Sequence, residues 1–193
     1  APSQRYVRGL YSGGTFCLEA QLIWRDAGIH TFSNAPLADA GRLTDVEKSV
    51  EHTAIDLGSD EFTVGRPHPM IDYGARIDRL SKEAADPSVA CIVMDVVLGY
   101  GSHPSPAEVL GPAIREAKSL AKAAGRDLPV ICFVCGTDED PQPFESQKAT
   151  LEHAGALLVA SSTDAAELAA AIATQMANES DAGRRVKQGG ERR

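Results

Sequence analysis

The hydrophobic and polar positions of this chain alternate between two kinds of segment. Five times a short run of β-branched and aliphatic residues leads through a loop of glycine, serine, proline or aspartate into a segment with helical periodicity. The runs that predict strands lie at residues 6–11, 53–57, 89–97, 130–135 and 156–160. The segments that predict helices lie at residues 16–27, 70–85, 106–124, 143–154 and about 163–176.

The predicted strand 89–97 is almost continuously apolar, as expected of a strand whose two faces are both covered. Regular alternation of strands and helices favours right-handed crossovers and a parallel sheet. The pattern therefore predicts an α/β fold with a flavodoxin-like, doubly wound, five-stranded parallel sheet. Ligands of such folds bind beyond the carboxyl ends of the strands, so the loops after the first four strands become the candidate site.

Length and charge narrow the class of protein. The 193 residues suit one domain, which we place at residues 1–177, and no apolar run approaches the roughly 20 residues that cross a bilayer. Residues 1–8 lack the layout of a secretory signal, so we expect a cytoplasmic protein. The net charge of −8 argues against nucleic acid as a partner. Residues 178–193, with five basic residues and one aliphatic residue larger than alanine, predict a disordered basic tail.

The four cysteines are too few for a disulfide framework. Cys132 and Cys135 form a CxxC pair, but the pair lies within the apolar strand 130–135. Positions three apart on a strand point to opposite faces, so the two thiols diverge. We interpret them as ordinary strand cysteines and expect no redox pair.

The first loop offers backbone N–H groups and hydroxyls directly before a helix. Two glycines allow close approach of a ligand, and two hydroxyls flank them. The candidate phosphate-binding residues here are Ser12, Gly13, Gly14 and Thr15. A tight turn with a capping threonine is the alternative interpretation. No Gly-Lys-Ser/Thr follows, so this is not a Walker A loop.

The second loop places a guanidinium and an imidazole before the predicted helix 70–85. Its candidate residues are Gly65, Arg66 and His68. Pro67 and Pro69 stiffen the approach and hold His68 extended. Positive side chains beside free N–H groups suit a phosphate or carboxylate, although a structural histidine in a proline-rich turn is the alternative.

The third and fourth loops complete the predicted site. The third repeats the combination of glycines, a hydroxyl and a His-Pro pair with Gly99, Gly101, Ser102 and His103. The fourth, residues 136–142, contributes Gly136 and Thr137. Its carboxylates suit turns and helix starts, so no metal site is predicted. Asp95, upstream in its strand, is expected to be buried and to require a hydrogen-bond partner.

Four stretches carry a family resemblance, in chain order. They are RGLYSGGTFC at 8–17, DLGSDEFTVGRPHPMID at 56–72, MDVVLGYGSHP at 94–104 and VCGTDEDPQ at 134–142. Together they resemble the FdrA family of acyl-CoA-synthetase-like proteins, over about residues 6–176. The domain is more distantly similar to the flavodoxin-like ligase domain at the carboxyl end of the succinyl-CoA synthetase β subunit.

The resemblance implies a ligase-type domain or subunit that stabilises a phosphoryl or acyl-phosphate group and is not catalytically complete alone. A whole enzyme would also need a CoA-binding Rossmann-type domain and, for a synthetase, an ATP-grasp domain, with CoA and ATP, ADP or phosphate as cofactors of the assembly. In the synthetases the phosphohistidine belongs to the partner subunit, so the resemblance does not make His68 that residue. Some FdrA-type proteins are associated with carbamoyl transfer in purine-nitrogen breakdown, which gives the alternative assembly.

Three other function classes remain open at the level of sequence. A receiver-like domain would use Asp95 and Thr137, although no acidic pair follows the first strand and no lysine ends the fifth. A flavin-binding domain would have only Tyr100 as an obvious ring to stack on the cofactor. A non-catalytic scaffold that positions partner subunits is the third class.

Overall fold

The fold was taken from a computed structural model that describes the backbone of residues 3–190 and the side chains up to residue 179. The strands are β1 (Tyr6–Tyr11), β2 (Thr31–Ser33), β3 (His52–Asp56), β4 (Val89–Val97), β5 (Val130–Cys135) and β6 (Leu157–Val159). The α-helices are α1 (Gly14–Asp26), α2 (Asp60–Thr63), α3 (Gly74–Ala85), α4 (Pro106–Ala123), α5 (Phe144–His153) and α6 (Ser162–Gly190), and a 3₁₀ turn lies at Asp39–Gly41.

The strands form one parallel sheet in the order β2-β3-β1-β4-β5-β6. From β1 the chain crosses to β2 at the edge of the sheet and comes back to β3 beside β1. It then passes β1 and builds β4, β5 and β6 on the other side. The direction of winding reverses between β1 and β4, where doubly wound folds open a crevice for ligands. The predicted doubly wound α/β fold is confirmed, with six strands instead of five.

Two apolar layers cover the sheet. Alternate positions of β4 divide between them: Ile92, Met94 and Val96 belong to the layer with α3, α4 and α5, while Cys91 and Val93 join α1 and α6. The second layer includes the buried ring of Trp24 and small alanines of α6, which let that helix lie close to the sheet. Burial on both faces explains the continuous apolar run of β4.

The structure adds two elements to the sequence prediction and moves two helix boundaries. The strand β2 and the short helix α2 lie in stretches that were predicted as irregular. The helix after the second loop begins at Gly74, four residues later than predicted. Helix α6 continues to Gly190, so the backbone of residues 178–190 is helical where the sequence predicted a disordered tail. Residues 191–193 of that predicted tail lie outside the described residues.

A buried ion network joins the centre of the sheet to α3. Arg8 of β1, 1 % exposed, donates from Nε to Glu83 at 2.7 Å and from Nη2 to Asp86 at 2.9 Å. The other Glu83 oxygen accepts from Arg79 Nε at 2.6 Å and from the Ser49 hydroxyl. One carboxylate therefore serves two buried guanidinium groups, and the network ties the segment before β3 to the sheet.

His52 makes the stability of the fold depend on pH. Its Nδ1 accepts the Val7 N–H at 3.2 Å, and burial, with a smaller effect of the neighbouring Arg8 charge, lowers the pKa of the ring from 6.5 to about 4. Between these values the unfolded chain binds a proton that the folded chain does not, so stability is lost as the pH falls through this window. We expect up to about 3 kcal/mol of loss. Urea unfolding at pH 7, 5.5 and 4 checks this.

The His52→Gln variant should lose most of that pH dependence. The His153→Gln variant is the matched control, because the His153 ring is exposed on α5. An identical pH dependence in wild type and His52→Gln would contradict the assignment.

Candidate functional site

The end of β1 is held by a buried carboxylate of the neighbouring strand. Asp95 of β4, 0 % exposed, accepts the Ser12 N–H at 2.8 Å and also the Ser12 hydroxyl. Arg76 of α3, also 0 % exposed, donates from Nη2 to the Asp95 carboxylate at 3.3 Å and to the Asp95 and Leu10 carbonyl oxygens at 2.6 and 3.1 Å. Asp95 thus has the partners that its burial requires, and it fixes the point where the first loop leaves the sheet.

Helix α1 begins directly after this point without a side-chain cap. Its cap position, Gly13, is extended, and the first helical residue is Gly14. The first N–H groups of an α-helix have no partner within the helix, and the helix dipole makes this end positive. The winding of the sheet therefore brings a positive, uncapped helix end to the point between β1 and β4 where the direction of winding reverses.

Neither the backbone conformation nor the packing requires a glycine at position 13. Its φ of −167° is open to any residue, and a Cβ placed there would meet nothing within 4 Å. Gly101 in the third loop is similarly open. By contrast, Gly65 and Gly99 adopt positive φ values of 74° and 130°, which explains them by backbone conformation alone. Open space beside Gly13 is what close approach of a ligand to α1 would need.

Asp56 stands at the end of β3, on the other side of the first loop. Its Oδ1 accepts the Gly58 N–H at 2.9 Å, and its Oδ2 lies 3.2 Å from where a Cβ on Gly14 would be. The side chain is 9 % exposed, and burial raises the pKa of the carboxyl above its usual 3.8. The charge of His68 acts in the opposite sense and is the smaller effect.

His68 of the second loop lies beside Asp56 and Gly58. Its Nε2 lies 2.8 Å from where a Cβ on Gly58 would be, a position that is also 3.2 Å from the Asp56 carboxylate. Its Nδ1 accepts the Met70 N–H at 3.3 Å. In the neutral ring the proton is therefore on Nε2, so this nitrogen serves as a hydrogen-bond donor and has no lone pair for nucleophilic attack or metal binding.

His103 repeats this geometry in the third loop. Its Nδ1 accepts the Ser105 N–H at 3.0 Å, and its ring packs edge-on against Tyr73. Its backbone N–H donates to the Met70 carbonyl at 2.8 Å, which joins the second and third loops. The backbone of the second His-Pro pair therefore links the third loop to the second.

Arg66 does not join His68. Because α3 begins at Gly74, the expected helix start next to Arg66 is absent from this part of the described chain. The exposed Arg66 side chain instead lines a separate pocket of about 220 Å³ together with Glu47, Asp78 and Lys82. The expected convergence of Arg66 and His68 on one anion is corrected by this placement.

The fourth loop supports the third. Gln142, 2 % exposed, accepts the Gly99 N–H at 2.9 Å and donates to the Gly99 and His103 carbonyl oxygens at 2.9 and 3.0 Å. Gly136 is explained by packing, since a Cβ there would lie 2.7 Å from Leu98. Thr137 donates its N–H to Asp140 at 2.7 Å within its own turn. These contacts give the fourth loop a structural role in the described chain.

Sequence reasoning missed Asp56, Arg76 and Gln142 as residues of the candidate site. Arg76 and Gln142 could not be found, because their contacts depend on how α3 and the fourth loop pack. A signal for Asp56 was present: like Asp95, it is an aspartate near the carboxyl end of an apolar strand next to β1.

The two cysteines of the CxxC pair lie in different surroundings. Cys132 is buried and Cys135 is exposed, and both are free cysteines. Burial raises the pKa of the Cys132 thiol to about 12. Within the described residues no group of three metal-ligating side chains occurs, and no helix is long and apolar enough to cross a membrane.

Comparison with known proteins decides the family. The model of the CoA-ligase family matches residues 10–172. This range contains the first four loops, all of strands β2 to β6 and the end of β1. The chain belongs to the CoA-ligase family. The loops beside the reversal of winding between β1 and β4 are therefore the candidate site of a CoA-ligase domain.

One curated relative is similar to most of this CoA-ligase domain. The chain is 46% identical over 168 residues to the protein named "Uncharacterized protein YahF" of Escherichia coli (strain K12). The matched region is 87% of this chain and 33% of YahF. The chain thus spans about a third of the length of this curated relative.

The geometry also weighs against the receiver interpretation. A receiver phosphorylates an aspartate at the sheet edge, but both carboxylate oxygens of Asp95 are occupied and the side chain is 0 % exposed. Tyr100, the ring expected for a flavin site, is 92 % exposed.

Proposed function

We propose that this CoA-ligase domain is the ligase-type part of an FdrA-like acyl-CoA synthetase and holds a phosphoryl group at the start of α1. The single observation that carries the proposal is the uncapped start of α1 beside open space at Gly13, where the winding of the sheet reverses. Backbone N–H groups at a helix start bind phosphate without a net positive charge on the protein. This agrees with the net charge of −8.

The candidate residues differ in whether their hydrogen-bond donors are available to such a ligand. The amides of Gly14 and Thr15 belong to the open helix start, and His68 adds a donor from the second loop. Ser12 is a positioning residue in this proposal, since its N–H and hydroxyl are engaged by Asp95. Arg66 is left out because it lines a different pocket.

The acid–thiol ligase reaction would need more than this domain. We propose that a CoA-binding Rossmann-type unit and an ATP-grasp unit complete the assembly, with CoA and ATP, ADP or phosphate bound mainly there. The greater length of YahF, of which the matched region is 33%, supports a domain that works within a larger protein or complex. A carbamoyltransferase assembly would present carbamoyl phosphate to the same site and is the alternative.

Binding of inorganic phosphate tests the proposal directly. In ¹⁵N-labelled protein, millimolar phosphate should shift the amide resonances of Gly14 and Thr15, with acetyl phosphate and carbamoyl phosphate as further probes. We expect Gly13→Ala to weaken phosphate binding by about tenfold or more, because an added methyl keeps the anion beyond hydrogen-bond distance of the amides. The fold should tolerate this change, since the new methyl meets nothing within 4 Å.

The control for this experiment is Leu18→Ala on the same helix, whose side chain is 40 % exposed. Its phosphate affinity should equal that of the wild type. Unshifted amides in the first loop at millimolar phosphate, or equal affinity in wild type and Gly13→Ala, would remove the basis of the proposed site.

A further inference from the structure

The carboxylate of Asp56 is an unusual neighbour for an anion site. The side chain is nine-tenths buried, and its Oδ2 lies against Gly14, the first residue of α1. The Gly58 N–H binds Oδ1, whereas no described residue donates a hydrogen bond to Oδ2. Oδ2 is not one of the buried polar atoms that lack a partner in the described chain, so it remains accessible and can accept a proton from a ligand at the start of α1.

Any anion at the start of α1 would therefore meet two kinds of group. The helix N–H groups donate to its oxygens, while Asp56 Oδ2 can only accept while it is ionised. An anion that carries a hydroxyl satisfies both, because its hydroxyl donates to Oδ2 in a short, charge-assisted hydrogen bond. A fully deprotonated anion has no proton to donate, so one of its oxygens and the ionised Asp56 Oδ2 would face each other as two acceptors.

We propose that Asp56 is a specificity-determining residue that makes this site select a proton-bearing phosphate, such as inorganic phosphate, over fully deprotonated oxyanions such as sulfate. The inference rests on the proposed function, since it refines the anion bound at α1. Inorganic phosphate keeps a proton at neutral pH, whereas sulfate of nearly the same size and shape keeps none. One proton lies between Asp56 and the bound anion, and either of the two can supply it.

The pH dependence of binding follows from this shared proton. When Asp56 is protonated its own O–H donates to the anion, so sulfate affinity should rise as the pH falls through the carboxyl pKa, which burial raises. The titratable groups that face Asp56 are His68 from the second loop, Glu61 from α2, Asp95 from β4 and Cys17 from α1. Protonation of His68 strengthens binding of every anion and does not by itself change the ratio of phosphate to sulfate affinity.

Parallel titrations with sodium phosphate and sodium sulfate at constant ionic strength test the proposal. The shifts of the Gly14 and Thr15 amides at pH 7 give both dissociation constants. Wild type should bind phosphate about tenfold or more tightly than sulfate, the ratio that one charge-assisted hydrogen bond commonly supplies. Asp56→Asn, whose amide can donate to either anion, should bring the two affinities within about twofold. The control is Asp60→Asn, which removes the same charge from an exposed position in α2.

The possible outcomes separate this inference from the proposed function. Equal phosphate and sulfate affinity in wild type, or an unchanged ratio in Asp56→Asn, overturns the role of Asp56 and leaves the phosphate site intact. Absence of any phosphate shift overturns both. If Asp56→Asn does not fold, sulfate titrations of the wild type decide: the ratio of phosphate to sulfate affinity must narrow as the pH falls, and a constant ratio overturns the role of Asp56.

Discussion

Replacement of Glu83 by glutamine is expected to lower the free energy of unfolding by about 3–5 kcal/mol, the cost of removing one partner from a buried ion pair. Glu83 is 4 % exposed and accepts from Arg8 at 2.7 Å and from Arg79 at 2.6 Å. A glutamine at this position leaves both guanidinium groups in the interior without their common counter-charge. Because whole domains are stable by about 5–15 kcal/mol, this is a large fraction of the total.

Urea unfolding followed by fluorescence measures this loss, since the single tryptophan, Trp24, is fully buried. Glu47→Gln is the matched control: Glu47 also pairs with a cation of α3, Lys82 at 2.8 Å, but both side chains are 58% exposed. Exposed pairs contribute at most about 1 kcal/mol. Similar losses in Glu83→Gln and Glu47→Gln would show that the buried network does not stabilise the fold.

The Asp95→Asn variant is expected to lose about 3 kcal/mol or more, for a related reason. The substitution keeps the shape of the side chain but removes the charge that faces the fully buried Arg76. It also weakens the double contact with Ser12 that fixes the end of β1. Asp140→Asn is the control, because Asp140 also binds a loop N–H, that of Thr137, without a buried cation.

A double-mutant cycle distinguishes the cost of leaving the buried Arg76 charge unpaired from a simple loss of packing. In Asp95→Asn with Arg76→Met, neither charge is buried, so the combined loss should be smaller than the sum of the single losses. Hydrogen exchange of the Ser12 amide should be accelerated whenever Asp95 is changed. Additive losses with unchanged exchange at Ser12 would contradict the role assigned to Asp95.

The sequence was sufficient to predict most of the sheet because burial on two faces leaves a strong pattern. The bounds of β1, β4 and β5 agree with the apolar runs at 6–11, 89–97 and 130–135. The three residues of β2 were missed, since only Phe32 among them is a large apolar residue. Register with β3 defines this strand, and that pairing is not visible in local composition.

The candidate site was predictable only in part. Parallel winding brings the carboxyl ends of the strands to one edge, and this alone led the sequence to group His68 with the first loop. Arg66 was misplaced because the helix was expected to start at residue 70, whereas it starts at Gly74 after an Asp72 side chain accepts the Gly74 N–H. The contacts of Asp56 with Gly14 and Gly58 require the relative positions of two strands, which spacing along the chain does not give.

The two outermost strands, β2 and β6, contain three residues each and flank a sheet whose longest strand has nine. Such short edge strands expose few unpaired N–H and C=O groups. They therefore offer little backbone to which another polypeptide could add a strand, which lowers the risk of edge-to-edge aggregation. Concentrated solutions of this domain should therefore resist forming intermolecular β-structure, and its helices and loops are left as the surfaces for contact with another chain.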